Sequence, residues 1–208
     1  MRFPDARILI FAKAPQPGRV KTRLIPRLGA EGACRFYAWL LERRVRGLAD
    51  AGLARIECWC APDAGHPLFR ALEREPGVAL RVQRGGDLGA RMQAAAAQAL
   101  QQAEFVLLIG VDCPALTATH LAQALEWMRD GADAVLGPAE DGGYVLLGLR
   151  RAAPALFAEM PWGSERVLAL TRARLVRLGW GWRELDTLWD LDRPADYERL
   201  LARGWAPD

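Results

Sequence analysis

The stretch Ile8-Leu-Ile-Phe-Ala-Lys-Ala-Pro-Gln-Pro-Gly-Arg-Val-Lys-Thr-Arg-Leu24 joins an apolar run to a basic loop and then to a helical pattern. This order is typical of the first strand, first loop and first helix of an α/β domain. It contains both lysines of the chain, Lys13 and Lys21, whereas the other 26 basic residues are arginine. An ammonium is a compact, mobile point charge that binds phosphate. Since ligands bind beyond strand ends in open α/β sheets, the stretch predicts a phosphate-binding loop; the alternative is a solvated basic turn.

Length and composition limit the class of protein. The 208 residues are 51% hydrophobic, enough to bury a full core, and predict one domain over residues 1–208. A net charge of +3, with arginines spread along the chain, disfavours nucleic acid as a partner. No apolar run approaches the ~18 residues that span a bilayer, and no signal-peptide core is present, so a cytoplasmic protein is expected. The four cysteines lack zinc-site spacing and are expected to be reduced thiols.

Apolar runs alternate with helical patterns and predict a parallel sheet covered by helices on both faces. Strands are predicted at residues 7–11, 55–60, 79–83, 105–111, 134–137, 144–149 and 182–184. Helices are predicted at residues 31–49, 67–73, 89–102, 119–129, 153–158, 164–178 and 194–202. Asp141-Gly-Gly143 leaves no room for a crossover helix, so its flanking strands should pair antiparallel or lie close together. The predicted fold class is α/β, a three-layer αβα with a mixed, mostly parallel central sheet.

Carboxylates occur where a site at the strand ends would need them. Asp112 directly follows the apolar run 105–111, at the expected end of a central strand. Asp190 and Asp192 are two residues apart, so in an extended segment they project to the same side. Together these aspartates would form an oxygen cage suited to Mg²⁺ (or Mn²⁺) and substrate phosphates. The alternative roles are structural: Asp112 would hold its loop, and Asp192 would begin a turn or cap the next helix.

A glycine-rich segment, Gln83-Arg-Gly-Gly-Asp-Leu-Gly-Ala-Arg-Met92, lies between a predicted strand and a predicted helix. Its backbone would be able to approach a base or ribose closely, and Arg91 would reach a phosphate; the alternative is a plain turn. Its spacing does not match the dinucleotide fingerprint, and Lys21 lacks the preceding glycine of a phosphate-loop NTPase. The chain has no Gly-x-Ser-x-Gly nucleophile elbow, and its two histidines are isolated. These observations disfavour NAD enzymes, phosphate-loop NTPases and serine hydrolases.

Five segments stand out when they are taken in order: residues 11–24, Gly86-Asp-Leu-Gly89 with Arg91-Met92, Gly110-Val-Asp-Cys-Pro114, Gly137-Pro-Ala-Glu-Asp-Gly-Gly-Tyr144 and Asp190-Leu-Asp192. Together they resemble a bacterial family of glycosyltransferase-like proteins of unknown function. That family is related to 2-phospholactate guanylyltransferase and, more distantly, to molybdenum cofactor guanylyltransferase. The resemblance implies the type A (GT-A) nucleotide-diphospho-sugar transferase fold. It also implies that Lys21-Thr-Arg-Leu24 corresponds to a Lys-Ser-Arg-Leu segment, and that Asp112, Asp190 and Asp192 correspond to metal-binding aspartates.

The resemblance and the charged loop together predict a metal-dependent nucleotidyltransferase. It would join a nucleoside monophosphate from a nucleoside triphosphate to a phosphorylated small-molecule acceptor and release pyrophosphate. The alternative is a glycosyltransferase with a sugar nucleotide donor, and a nucleotide-binding regulator is a third class. The basic first loop favours the first, because triphosphate and pyrophosphate carry more charge than a diphosphate ester. Prolines replace most of the glycines found in the first loop of sugar-nucleotide pyrophosphorylases, which leaves the base and the acceptor open.

The predicted site has four groups of residues. The catalytic residues are Lys13, Lys21 and Arg23. The nucleotide-binding residues are Ala12, Gly18, Thr22, Gln83, Gly85, Gly86, Asp87, Gly89 and Arg91. The acceptor-binding residues are Asp141, Gly142, Gly143 and Ser164. The metal ligands are Asp112, Asp190 and Asp192.

Overall fold

A computed structural model describes residues 1–205 as seven strands, six α-helices and two short 3₁₀ turns. The strands are β1 (Ala6–Lys13), β2 (Arg55–Ala61), β3 (Val78–Val82), β4 (Phe105–Ile109), β5 (Ala134–Pro138), β6 (Tyr144–Leu149) and β7 (Trp182–Glu184). The helices are α1 (Ile25–Ala51), α2 (Pro67–Leu72), α3 (Leu88–Ala99), α4 (Ala118–Arg129), α5 (Val167–Arg177) and α6 (Pro194–Leu201), and the 3₁₀ turns are Thr22–Leu24 and Pro154–Leu156.

All seven strands form one sheet in the order β3-β2-β1-β4-β6-β5-β7. β6 runs antiparallel to both of its neighbours, and the other strand pairs are parallel. The pairing of Pro138 with Tyr144 across the Asp141-Gly-Gly143 turn confirms the predicted hairpin. The mixed, mostly parallel sheet is therefore confirmed.

Two hydrophobic cores lie on opposite faces of the sheet. Successive residues of β1 alternate between them: Ile8 and Ile10 pack with α1 and α4, while Leu9 packs with α3 and α5. This alternation follows from the two-residue period of a strand, and it explains why β1 is apolar without interruption from Ile8 to Ala12. The three-layer arrangement is the predicted one.

Several element boundaries differ from the predicted ones. α1 begins at Ile25 because Pro26 suits a first helical turn, although Gly29 interrupts it with φ 70°. β4 ends at Ile109, where its pairing with β6 ends, so Asp112 lies in the following loop. The predicted helix 153–158 is only the 3₁₀ turn Pro154–Leu156, and the predicted helix 164–178 begins at Val167.

Two further properties bear on the class of protein. Within residues 1–205, no helix has both the length and the apolar character that crossing a membrane requires. The four cysteines are free thiols.

The turn between β5 and β6 requires a glycine at residue 142. Gly142 has φ +84°, and a Cβ on it would lie 2.7 Å from the Cα of Glu165, just before α5. The Gly142 carbonyl also accepts the Leu168 N–H at 2.9 Å. The hairpin turn and the start of α5 are therefore in contact because residue 142 has no side chain.

We expect Gly142→Ala to destabilise the protein by about 1–3 kcal/mol more than Gly163→Ala, which is the cost of overpacking. Gly163 is a matched control because its φ is +82° and a Cβ there meets nothing within 4 Å. Gly163→Ala therefore reports only the left-handed backbone, roughly 1–2 kcal/mol. Urea unfolding of both variants measures the difference, and equal losses would show that the turn moves away from Glu165 without cost.

Candidate active site

A cavity of about 700 Å³ opens where β1 and β4 end and β6 begins. β1 lies between β2 and β4. After β1 the chain builds β2 and β3 on one side of it, and it then crosses back to place β4 on the other side. Loops diverge at such a switch point and leave a crevice in which ligands of open α/β sheets bind. The predicted phosphate-binding loop and Asp112 both reach this crevice.

Most of the predicted site residues line this cavity. They are Ala12, Lys13, Lys21, Thr22, Arg23, Gln83, Arg91, Asp112, Asp141, Gly143, Ser164, Asp190 and Asp192. The predicted residues outside its lining are Gly18, Gly85, Gly86, Asp87, Gly89 and Gly142. The fold thus gathers most of the predicted charged residues, with the exception of Asp87, while every predicted glycine except Gly143 lies outside the lining of the cavity.

The Lys21 ammonium joins two segments that are distant in sequence. Its Nζ lies 2.7 Å from Asp112 Oδ1 and also donates to the Leu191 carbonyl. The side chain is only 4% exposed, and the backbone is left-handed with φ 46°. The Leu191 N–H donates to the Asp112 carbonyl at 2.7 Å, so backbone and ammonium hold the same two segments. The sequence predicts a mobile ammonium for Lys21. In this structure the ammonium is instead buried, and it links the loop of Asp112 to the C-terminal segment.

The other cations of the first loop are more accessible. Arg23 pairs with Asp192, and both side chains are partly exposed. Lys13 and Arg19 are exposed, line the cavity and have no carboxylate at ion-pair distance among residues 1–205. The Lys13 backbone N–H donates to the hydroxyl of buried Tyr37 at 2.9 Å, which holds the end of β1 in place. Two cations therefore remain available for an anionic ligand, and Arg19 was not predicted.

Four carboxylates line the same cavity: Asp112, Asp141, Asp190 and Asp192. Burial raises the pKa of Asp190 to about 6, with further contributions from Asp141 and Asp192 that Lys21 partly offsets. Even so, residues 1–205 contain no group of three or more His, Cys, Asp or Glu side chains at metal-binding spacing. The predicted three-aspartate cage is not assembled in this structure, in which Asp112 pairs with Lys21 and Asp192 pairs with Arg23.

The glycine-rich segment folds back onto the start of α3. Asp87 caps this helix by accepting the Ala90 N–H at 2.8 Å, and Arg91 Nε donates to the Gly85 carbonyl at 3.1 Å. Gln83 Nε2 donates to the carbonyls of Ala12 at 3.1 Å and Trp59 at 2.8 Å. These polar groups hold the segment together, and Gln83 and Arg91 still face the cavity. Contact with a base or ribose stays a prediction.

An aromatic wall, formed by Tyr144 and Trp162, faces the cavity together with Leu88 and Met92 of α3. The two rings meet edge to face with centroids 6.4 Å apart. A Cβ on Gly89 would lie 2.7 Å from Trp162 Nε1, so this glycine allows the indole to pack against α3. The sequence places the Trp162-Gly-Ser164 turn at the acceptor pocket, but it does not predict the contact between Trp162 and Tyr144, because Trp162 lies in an irregular segment with no periodic pattern.

The turns predicted to bind an acceptor lie beside this wall. Asp141 Oδ1 accepts the Gly143 N–H at 2.8 Å, which tightens the β5–β6 turn. The Ser164 hydroxyl accepts the Arg166 N–H at 3.4 Å before α5. Both turns are locally stabilised, and Asp141, Gly143 and Ser164 line the cavity.

This fold is that of the nucleotide-diphospho-sugar transferases. A solved structure from Desulfovibrio desulfuricans G20, provisionally named a nucleotide-diphospho-sugar transferase, is 27% identical, with a TM-score of 0.83 over 99% of this chain and 100% of that chain. CMP:2-keto-3-deoxy-manno-octonic acid synthetase complexed with CTP is 15% identical, with a TM-score of 0.58 over 96% and 98%. Rv0371c of Mycobacterium tuberculosis H37Rv complexed with manganese is 20% identical, with a TM-score of 0.53 over 95% and 98%.

The chain belongs to the family described as "Uncharacterized protein conserved in bacteria (DUF2064)", whose sequence profile matches residues 44–164. The matched region includes Asp112 and the glycine-rich segment, while Lys21, Asp190 and Asp192 lie outside it. A comparison with curated protein sequences gives no significant match. The relation to the two guanylyltransferases stays a prediction.

We expect Lys21→Ala to lower the free energy of unfolding by about 1–3 kcal/mol, because the Leu191 carbonyl and Asp112 lose their common partner. Lys13→Ala is the matched control, since that side chain is exposed. Its effect should stay within about 0.5 kcal/mol. Urea unfolding without ligand tests both variants, and a Lys21→Ala protein as stable as the Lys13→Ala protein would contradict a structural role for the buried ammonium.

Proposed function

We propose that the protein is a metal-dependent nucleotidyltransferase that joins a nucleoside monophosphate to a phosphorylated small molecule. One observation carries the proposal: a cluster of cations and a cluster of carboxylates line a single cavity at the switch point of the sheet. Phosphoryl and nucleotidyl transfer depend on positioning and charge stabilisation more than on a side-chain nucleophile. A cavity with both signs of charge suits a metal-bound polyphosphate.

The cations have distinct roles in this proposal. Lys13 and Arg19, whose side chains are exposed, bind the β- and γ-phosphates of the incoming triphosphate. Arg23 leaves its exposed ion pair with Asp192 at little cost, because such pairs contribute only about 0–1 kcal/mol. Lys21 is paired with Asp112 and meets the charge that develops on the departing pyrophosphate. The four cations at and after the end of β1 carry more positive charge than the binding of a diphosphate ester needs.

The carboxylates fit Mg²⁺ or Mn²⁺ in their donor chemistry. Mg²⁺ is commonly held by one or two carboxylates together with substrate phosphates, so it does not need a three-carboxylate cage. Asp112 would hold it with Asp190 or Asp192, all of which line the cavity. The elevated pKa of Asp190 marks a half-buried carboxylate whose ionised form a nearby cation would stabilise. The ion would neutralise charge on the transferred phosphate.

The reaction itself is a displacement at phosphorus. An oxygen of the acceptor phosphate attacks the α-phosphorus of the triphosphate and forms a new P–O bond. The bond from the α-phosphorus to the bridging oxygen of the β-phosphate breaks, and pyrophosphate leaves with that electron pair. Lys13, Arg19 and Lys21 stabilise the charge on pyrophosphate, while the Asp141 and Ser164 turns and the aromatic wall position the acceptor.

The similar proteins support a nucleotide ligand. One of them was solved with CTP bound, and another carries the name of a nucleotide-diphospho-sugar transferase. The manganese in a third is consistent with a divalent cation in this cavity. The resemblance of the sequence to guanylyltransferases makes GTP the first triphosphate to test, and the CTP complex makes CTP the second.

A glycosyltransferase is the second candidate, and the name of the 27% identical structure favours it. It would use the same cavity to hold a sugar nucleotide and would release a nucleoside diphosphate. The charge of the first loop argues for the triphosphate donor instead.

The leaving group distinguishes the two reactions. We expect pyrophosphate to appear in step with a nucleoside-diphosphate-linked product when the enzyme receives a triphosphate and a pool of phosphorylated metabolites. Mass detection of both products is the measurement, with sugar nucleotides as the parallel donor set. Release of nucleoside diphosphate from a sugar nucleotide, with no pyrophosphate from any triphosphate, would select glycosyl transfer.

We expect Asp190→Asn to reduce metal-dependent nucleotide binding by about tenfold or more, because it removes a charge that holds the metal on the phosphates. Asp186→Asn is the control, since Asp186 is exposed and does not line the cavity. Calorimetric titration with triphosphate, with and without Mg²⁺, measures the effect. Equal metal dependence in both variants would remove Asp190 from the proposed metal site.

A further inference from the structure

The ion pair between Lys21 and Asp112 places a cation beside a carboxylate that binds the metal in the proposed reaction. Nζ lies 2.7 Å from Asp112 Oδ1, well within ion-pair distance. Lys21 and a divalent ion bound to the same carboxylate would repel one another strongly in a partly buried site. Asp112 can therefore bind either the Lys21 ammonium or the divalent ion strongly, but not both at once.

Three features hold the ammonium in this position. Its second hydrogen bond goes to the carbonyl of Leu191, a fully buried residue next to Asp190 and Asp192. The Lys21 side chain is 4% exposed, whereas the Asp112 side chain is 53% exposed. The backbone of Lys21 is left-handed, with φ 46°, and its side chain reaches the Leu191 carbonyl in the C-terminal segment. Fixed protein oxygens thus replace the water that would otherwise hydrate the ammonium. A bound divalent cation would need the same kind of oxygen ligands.

Lys13 provides the contrast. It is the last residue of β1 and lines the same cavity, yet its side chain is exposed and pairs with no carboxylate among the described residues. The chain thus has one lysine available to a ligand and one already engaged with the carboxylates. Lys13 and Lys21 therefore have different roles before the nucleotide binds.

We propose that Lys21 takes the place of the divalent cation at Asp112 in the nucleotide-free protein, so that metal binding depends on nucleotide. This inference rests on the proposed function. The triphosphate offers Lys21 stronger anionic partners than Asp112 and draws the ammonium away from the carboxylate. The carboxylate is then released to share the metal with the phosphates. Because coupling of binding is reciprocal, metal and nucleotide each raise the affinity for the other.

The test is Mn²⁺ binding without nucleotide, measured by titration of the electron paramagnetic resonance signal of the free ion. We expect Lys21→Met, a variant of similar length without charge, to bind Mn²⁺ at least tenfold more tightly than the wild type. Lys13→Met removes the same charge from the same cavity and should leave the affinity unchanged. Lys21→Gln keeps a donor for the Leu191 carbonyl, and circular dichroism confirms that each variant is folded. Asp112→Asn added to Lys21→Met should abolish the gain.

The same titrations with GTP or CTP complete the design. In the wild type, nucleotide should strengthen Mn²⁺ binding at least tenfold, and in Lys21→Met this factor should shrink. One result would overturn the inference alone: Lys21→Met and Lys21→Gln bind Mn²⁺ no better than the wild type, and the wild type still binds metal with nucleotide. Lys21 then does not take the place of the cation at Asp112, and the proposed function stands. If the wild type binds no nucleotide from the panel with or without metal, the proposed function itself fails.

Discussion

The contact on which the site depends is the buried ammonium of Lys21 between Asp112 and the Leu191 carbonyl. It joins the first loop, the loop after β4 and the C-terminal segment, three pieces of chain with no local reason to meet. A buried charge is tolerated only when it is paired and hydrogen-bonded, and here both conditions are met. The arrangement therefore restricts where each segment can lie, and Asp190 reaches the cavity because its neighbour Leu191 is held by this contact.

The loop that carries Asp112 is supported from a second side by α1. Arg44 donates to the carbonyls of Leu116 and Cys113, so a guanidinium on α1 is hydrogen-bonded to the backbone of this loop. The Cys113 thiol donates to the Trp189 carbonyl at 3.2 Å, which adds another link to the C-terminal segment. Such support keeps Asp112 in place independently of any ligand, and this preorganisation is what a charge-stabilising site requires.

The cavity has two chemically different sides. The first loop and the carboxylates form a charged side, while Tyr144, Trp162 and the start of α3 form an apolar side. Close packing of that apolar surface depends on Gly89, where any side chain would displace the indole, and on Gly142, which lets the hairpin meet α5. Gly89 and Gly142, both predicted as ligand contacts, thus act in this structure by allowing neighbouring elements to pack closely.

The sequence by itself determined the features that depend on local pattern. Continuous apolar runs identified buried strands, Asp141-Gly-Gly143 identified the antiparallel hairpin, and the confinement of lysine to one loop identified the basic side of the cavity. Only the tertiary structure decided that Lys21 is buried, that Arg19 joins the site and that Trp162 forms a wall. Lys21 and Leu191 are 170 positions apart, and no periodicity carries information over that distance. Their contact arises because the sheet order brings the end of β4 beside the first loop and the C-terminal segment pairs with both, which is a property of the assembled sheet and not of any one stretch.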